Sequence, residues 1–209
     1  MDRDTDSMQA RLKRLVLERA FQYSEQATFR LVSGAMSRFY FNCKRVTLDP
    51  EGQYLIGNLF FQAVRNLEVQ GIGGLTLGAD PIASAVAYTS WVQQRPIQSF
   101  VVRKKPKEHG AAGLIEGNVH SGDRVVVVDD VITTGGSTLQ AIEACRQAGL
   151  EVVRVVVLVD RQEMNGRENI RKEVPDLVAL VTRDEIMSLY EYEERGQHPP
   201  NTLRGDCRG

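Results

Sequence analysis

The segment Val125-Val126-Val127-Val128-Asp129-Asp130-Val131-Ile132-Thr133-Thr134-Gly135-Gly136-Ser137-Thr138 sets four valines ahead of two acids, then hydroxyls and glycines. A valine run without polar alternation reads as a strand buried on both faces of a parallel sheet. In such sheets, ligands bind beyond the carboxyl ends of the strands. The helix that opens at Ser137 or Thr138 presents bare amides, which with the neighbouring hydroxyls form a cradle for phosphate. Gly135 and Gly136 let the backbone approach an anion with no Cβ in the way. Asp129 and Asp130 would repel a phosphate, so they face something else, and ribose hydroxyls, which donate hydrogen bonds, suit them. A sugar that bears a phosphate satisfies both halves of the loop. The plainer alternative is a strand, an acidic turn and a capped helix with no ligand. Other nucleotide signatures are missing: there is no G-x-x-x-x-G-K-[ST], and Gly71, Gly73, Gly74 and Gly78 are not spaced as G-x-G-x-x-G.

Further along, Val152 to Val159, broken only by Arg154, predicts a second buried strand. Ile72 to Leu77, Phe100 to Val102 and Leu177 to Val181 predict three more. Asp49-Pro50, a cap followed by proline at the first helical position, predicts a helix through Tyr54 to Leu67. Pro81 opens another through Trp91, and the helix from Ser137 or Thr138 runs to Ala148 and stops at Gly149. Amphipathic helices are expected from about Met8 to Phe21 and from Asp184 to Glu194. Strand and helix alternate, so the class is α/β with a mostly parallel sheet.

The 209 residues suit one domain, expected over 1–195, with 196–209 as a polar tail. A composition of 42% hydrophobic and 25% charged residues excludes fibrous and disordered classes. A net charge of −1 argues against a nucleic-acid binder working by bulk electrostatics. No apolar stretch reaches the length of a membrane span, and Met1 to Ser7 are polar and acidic rather than signal-like. Cys43, Cys145 and Cys207 match neither a disulfide framework nor a zinc site, and they suit a reducing, cytoplasmic compartment.

The segment at 125–138 resembles the PRPP-binding motif of type I phosphoribosyltransferases, with its apolar residues, two acids and threonine-glycine loop. The resemblance implies that family's fold, a central, mainly parallel sheet flanked by helices, with an N-terminal hood mainly at 20–45. It implies that the 5-phosphate of PRPP lies on Thr133, Thr134, Gly135, Gly136, Ser137 and Thr138, with Val131 and Ile132 in the same PRPP-binding stretch. Asp129 and Asp130 would take the ribose hydroxyls. Mg²⁺ is implied as the cofactor, held mainly through PRPP and water, with no side-chain metal site.

Arg103-Lys104-Lys105-Pro106-Lys107-Glu108-His109-Gly110, read alone, is a solvated charged loop. Beside a phosphate site it means more. Loss of diphosphate builds negative charge on the leaving group while the ribose carbon becomes cation-like, and positioned cations stabilise that charge. Gly110, Gly113 and Gly117 suit a lid that closes and excludes water. R-K-x-x-K-x-H-G is similar to the flexible catalytic loop of orotate phosphoribosyltransferases. That resemblance assigns Arg103, Lys104, Lys107 and His109 to PRPP and makes Lys107, His109, Asp129 and Asp130 the catalytic set. It also implies a homodimer with shared active sites.

Asp160-Arg161-Gln162-Glu163 resembles the family's D-R-Q-E, in which Arg161 would meet the orotate carboxylate as a planar, bidentate partner. A strand-end ion pair of Arg161 with Asp160 or Glu163 is the alternative. Thr133 occupies the family's other orotate-contacting position. Ser33-Gly34-Ala35-Met36-Ser37-Arg38-Phe39-Tyr40-Phe41-Asn42 resembles S-G-x-x-S-x-x-Y-[FY]-[ND], where Tyr40 and Phe41 would cover the pyrimidine ring. Ordinary core or hairpin aromatics are the alternative there.

Two positions depart from the common family pattern: Val32 and Gly78 stand where many members carry lysine. Amides of Gly78 to Asp80 are expected to bind diphosphate as an anion nest instead. The resemblance implies transfer of the 5-phosphoribosyl group from PRPP to orotate, giving orotidine 5-monophosphate and diphosphate in pyrimidine (UMP) biosynthesis. The alternatives are a PRPP-binding regulator and a phosphoribosyltransferase for another base. Arg161 and the cationic loop disfavour another base, since purines and uracil have no carboxylate to pair.

Overall fold

The two valine runs lie side by side at the centre of a computed structural model that describes residues 3–31, 34–105 and 113–197. In chain order come α1 (Arg3–Arg19), β1 (Phe21–Tyr23), β2 (Phe29–Arg30), β3 (Met36–Ser37), β4 (Phe39–Phe41), α2 (Lys44–Thr47) and α3 (Pro50–Val64). They are followed by β5 (Gly71–Leu75), α4 (Asp80–Val92), β6 (Gln98–Val102), β7 (Ile115–Gly117), β8 (Arg124–Ile132) and α5 (Gly136–Gln147). The described chain ends with β9 (Glu151–Asp160), α6 (Gly166–Glu173), β10 (Leu177–Thr182) and α7 (Arg183–Gln197).

Six strands form one sheet in the order β10-β9-β8-β5-β6-β7. Every neighbouring pair is parallel except β6 with β7, so the expected α/β class with a mainly parallel sheet is what the chain adopts. The valine run has no polar alternation because both of its faces are covered. Val126 and Val128 belong to a core shared with α1, α3, α4 and α7, whereas Val125 and Val127 belong to a second core under α5 and α6. β9 divides in the same way, with Val156 and Leu158 on the first side and Val155 and Val157 on the second.

Boundaries differ from the sequence reading where pairing overrides pattern. β8 continues past Val128 to Ile132, because β9 still pairs there: Asp129 lies opposite Val157 and Ile132 opposite Asp160. The two acids therefore lie within the strand rather than in a turn after it. α1 stops at Arg19, since Phe21 enters β1 and pairs with Phe41 of β4. α3 starts at the expected place, with Asp49 Oδ1 accepting from the Gly52 amide at 3.0 Å. β1 to β4 form two separate two-stranded sheets, too short for any periodicity to show in the sequence. α6 was also unmarked, because its cap is Asn165 in the left-handed region (φ 57°), with no side-chain bond. Residues of the expected tail from 198 on lie outside the described residues.

Ile142 of α5 is fully buried among the second core's valines. Ile142→Ala should destabilise the protein by about 2–5 kcal/mol and Ile142→Val by about 0.5–1.5 kcal/mol in urea unfolding, as removed methyl groups leave a cavity under the helix that carries the loop.

Candidate active site

Where β8 and β9 end, the helical layers part and leave a cavity of about 660 Å³. Both acids line it, reached from opposite sides of one strand. Asp129 shares the face of Val127 and is held by α5: Thr138 Oγ1 donates to Asp129 Oδ2 at 2.7 Å, and the Asp130 amide donates to Oδ1 at 3.0 Å. Asp130 shares the face of Val128 and meets Lys44 at the start of α2, with Nζ 3.7 Å from Oδ2. The two residues are 5% and 7% exposed. Burial, and then the neighbouring Asp130 charge, push the Asp129 carboxyl up to about 7. The same burial raises the Cys43 thiol well above its ordinary value, leaving it an inert core group beside the site.

The loop after β8 turns directly into α5. Gly135 has φ +80°, and a Cβ there would lie 3.0 Å from the Gly166 carbonyl oxygen and 2.9 Å from the Ile170 side chain, so only glycine closes this turn. Thr133, Thr134, Gly135, Gly136, Ser137 and Thr138 all line the cavity, and so does Val131. The Ile132 side chain instead packs in the second core, and its carbonyl accepts the Arg161 amide at 3.2 Å.

Arg161 stands at the other wall, 6% exposed, with its guanidinium oriented from several sides. Nε donates to Glu163 Oε2 at 2.9 Å, and Nη2 donates to the Phe39 carbonyl at 2.9 Å and to Ser37 Oγ at 3.3 Å. The alternative ion pair is thus present with Glu163, while Asp160 pairs with Arg167 at 2.6 Å. It coexists with a place in the cavity wall, so the pair aims the arginine rather than removing it. Tyr40 and Phe41 also line the cavity. Phe41 is buried under the Arg161 guanidinium at 5.9 Å, whereas Tyr40 is 37% exposed and stacks on Phe29 at 5.7 Å.

Lys104 reaches the cavity, whereas Arg103 pairs with Glu116 at 3.2 Å. Lys107 and His109 lie outside the described residues, as do Val32 and Ser33. Of the expected nest Gly78 to Asp80, only Gly78 lines the cavity, beside Leu77; the Ala79 amide donates to the Leu75 carbonyl at 3.3 Å, and Thr76 Oγ1 donates to Asp80 Oδ2 at 2.7 Å. Sequence reasoning missed Arg30 and Lys44, two further cations in the lining. Arg30 lies in a two-residue strand and Lys44, next to Arg45, opens the four-residue α2, and only the chain's three-dimensional path brings them here.

A phosphoribosyl transferase domain model matches residues 75–193, the span from the end of β5 into α7. Fold and site thus define a phosphoribosyltransferase. The chain is 48% identical to the orotate phosphoribosyltransferase of Aquifex aeolicus over 177 residues, 85% of this chain and 96% of that protein. Among solved structures it is similar to the orotate phosphoribosyltransferase of Mycobacterium tuberculosis in complex with Fe(III) dicitrate. That match has a TM-score of 0.73 and 35% identity, and covers 86% of this chain and 98% of the other. The same enzyme in complex with PRPP matches with a TM-score of 0.69 and 33% identity over the same shares. The chain belongs to the orotate phosphoribosyltransferase family.

The Asp129 shift predicts a pH signature. Between its ordinary value of 3.8 and about 7, the folded protein keeps a proton on Asp129 that the unfolded chain has released. The unfolded state then binds fewer protons, so this group lowers stability as pH rises through that window. Urea unfolding at about pH 5 and about pH 8 should show a smaller loss in Asp129→Asn than in the wild type.

Proposed function

We propose that this protein is an enzyme that transfers the 5-phosphoribosyl group of PRPP to orotate, yielding orotidine 5-monophosphate and diphosphate in pyrimidine biosynthesis. One observation carries the reading: a buried acid pair, a helix-capping hydroxyl-glycine loop and a buried, oriented arginine share one cavity. The 5-phosphate sits on the loop from Thr133 to Thr138, where amides at the start of α5 and hydroxyls receive it. Asp129 and Asp130 accept from the ribose hydroxyls. Arg161 faces the orotate carboxylate, Thr133 contacts the same base, and Tyr40 and Phe41 border its ring.

As the bond from ribose C1 to diphosphate breaks, the leaving group keeps the electron pair and the ribose becomes cation-like. The nearby carboxylates favour that charge, and the orotate ring nitrogen forms the new bond to C1. We assign Arg103, Lys104, Lys107 and His109 to the departing diphosphate. Asp129 and Asp130 fit a substrate-borne cation, since their two carboxylates face the cavity that would hold PRPP. Mg²⁺ bound with PRPP would neutralise diphosphate charge.

A homodimer is part of this reading. On α4, Tyr88 lies one turn before the adjacent Trp91 and Val92, and the three have 73%, 74% and 58% of their surface exposed, an apolar patch suited to a second copy. The buried free thiols of Cys43 and Cys145 suit the cytoplasm. Among the described residues, no helix is long and apolar enough to cross a membrane.

Orotate absorbance should fall when the protein is mixed with orotate, PRPP and Mg²⁺. Arg161→Lys should lose roughly 10–100-fold in kcat/KM for orotate while PRPP binding stays, because an ammonium cannot reproduce the planar fork. PRPP binding without any absorbance change would point to a regulator instead. Sedimentation of Trp91→Glu should give a monomer where the wild type gives a dimer, since a charge in the patch opposes its burial.

A further inference from the structure

Gly78 stands where the family's best-known members are expected to carry lysine, and here it offers no side-chain cation to the site. A Cβ on Gly78 would stand 2.6 Å from Asp130 Oδ1 and 3.2 Å from Asp129 Oδ1, so the backbone of the β5–α4 loop packs directly on the acid pair. A cation reaches the same carboxylate from another element: Lys44, first residue of α2, lines the cavity with Nζ 3.7 Å from Asp130 Oδ2.

We propose that Lys44 is a substrate-binding residue that contacts the diphosphate of PRPP, supplying from α2 the cation that position 78 does not carry. The inference rests on the transferase reading above. Folding does not account for this pair. The lysine side chain is 53% exposed, and half-exposed ion pairs contribute little to stability. The separation exceeds hydrogen-bond range, so the ammonium protons are not committed to Asp130. Ligand geometry supplies the rest. With the 5-phosphate on the 133–138 loop and the C2 and C3 hydroxyls on Asp129 and Asp130, the diphosphate on C1 stands next to the acid pair. Two anions so placed repel unless a cation lies between them, and Lys44 is positioned to do so.

Calorimetric titration of PRPP with Mg²⁺ into the full chain, together with steady-state kinetics, tests this. Lys44→Ala should raise the Kd and KM for PRPP roughly 10–100-fold, the range for one charged hydrogen bond, with the KM for orotate nearly unchanged. Lys44→Arg, which keeps the charge, should recover most of the affinity. Arg45→Ala removes an equal charge from the adjacent exposed position and should bind as the wild type does. All Lys44 and Arg45 variants should unfold at the wild-type midpoint. Wild-type affinity in Lys44→Ala overturns the inference, and so do equal losses in Lys44→Ala and Arg45→Ala, which would indicate a general field effect. If the wild type itself does not bind PRPP, the transferase reading fails first, and that result is distinct from a Lys44 variant that binds normally.

Discussion

Successive side chains of a pleated strand leave it on opposite faces, and at the end of β8 this alternation separates Asp129 from Asp130. One carboxylate is anchored to α5 through Thr138; the other turns toward α2 and meets Lys44. Burial withdraws Asp129 from water and the adjacent Asp130 charge further opposes its ionisation, which is why Asp129 holds its proton to about 7. Valine-lined cores on both faces keep the strand from relaxing this strain by moving either acid into solvent. The site's charge is therefore set by the sheet, and the glycine-rich loop and α5 begin where that sheet ends.

The short strands β3 and β4 (the expected hood) are tied to the residues just after β9 by polar contacts. Ser37 Oγ donates to Glu163 at 2.8 Å, Glu163 accepts from Arg161, and Arg161 donates to the Phe39 carbonyl. A guanidinium this buried is costly unless it is paired, and the network supplies its partners from two layers of the fold. The same contacts bring Tyr40 and Phe41 to the cavity rim, so hood and arginine are oriented together. Glu163, Arg161 and Ser37 act as one unit although 124 to 126 positions separate Ser37 from the other two.

Positive charge enters this cavity from several parts of the chain. Gly78 packs its backbone on the acid pair, while Lys44, Lys104 and Arg30 enter the lining from three separate segments. A phosphate ligand responds to the field at its oxygens rather than to the chain position that generates it. A basic residue can therefore be lost from one element and the charge supplied from another while the fold stays the same.

Much of this was legible in the sequence. The valine runs marked the central strands because a strand buried on both faces has no polar alternation to display. Asp49-Pro50 marked α3, and the acid pair with its hydroxyl-glycine loop marked the phosphate and ribose end of the site. These are local signals, in which neighbours in the chain are neighbours in space. What the sequence could not show was which face each acid takes, because that depends on strand pairing running on to Ile132. Nor could it show that Arg161 is oriented by Ser37 and Phe39, or that Lys44 lies against Asp130. Those contacts join segments far apart in the chain, and only the packing of hood, sheet and helices decides them.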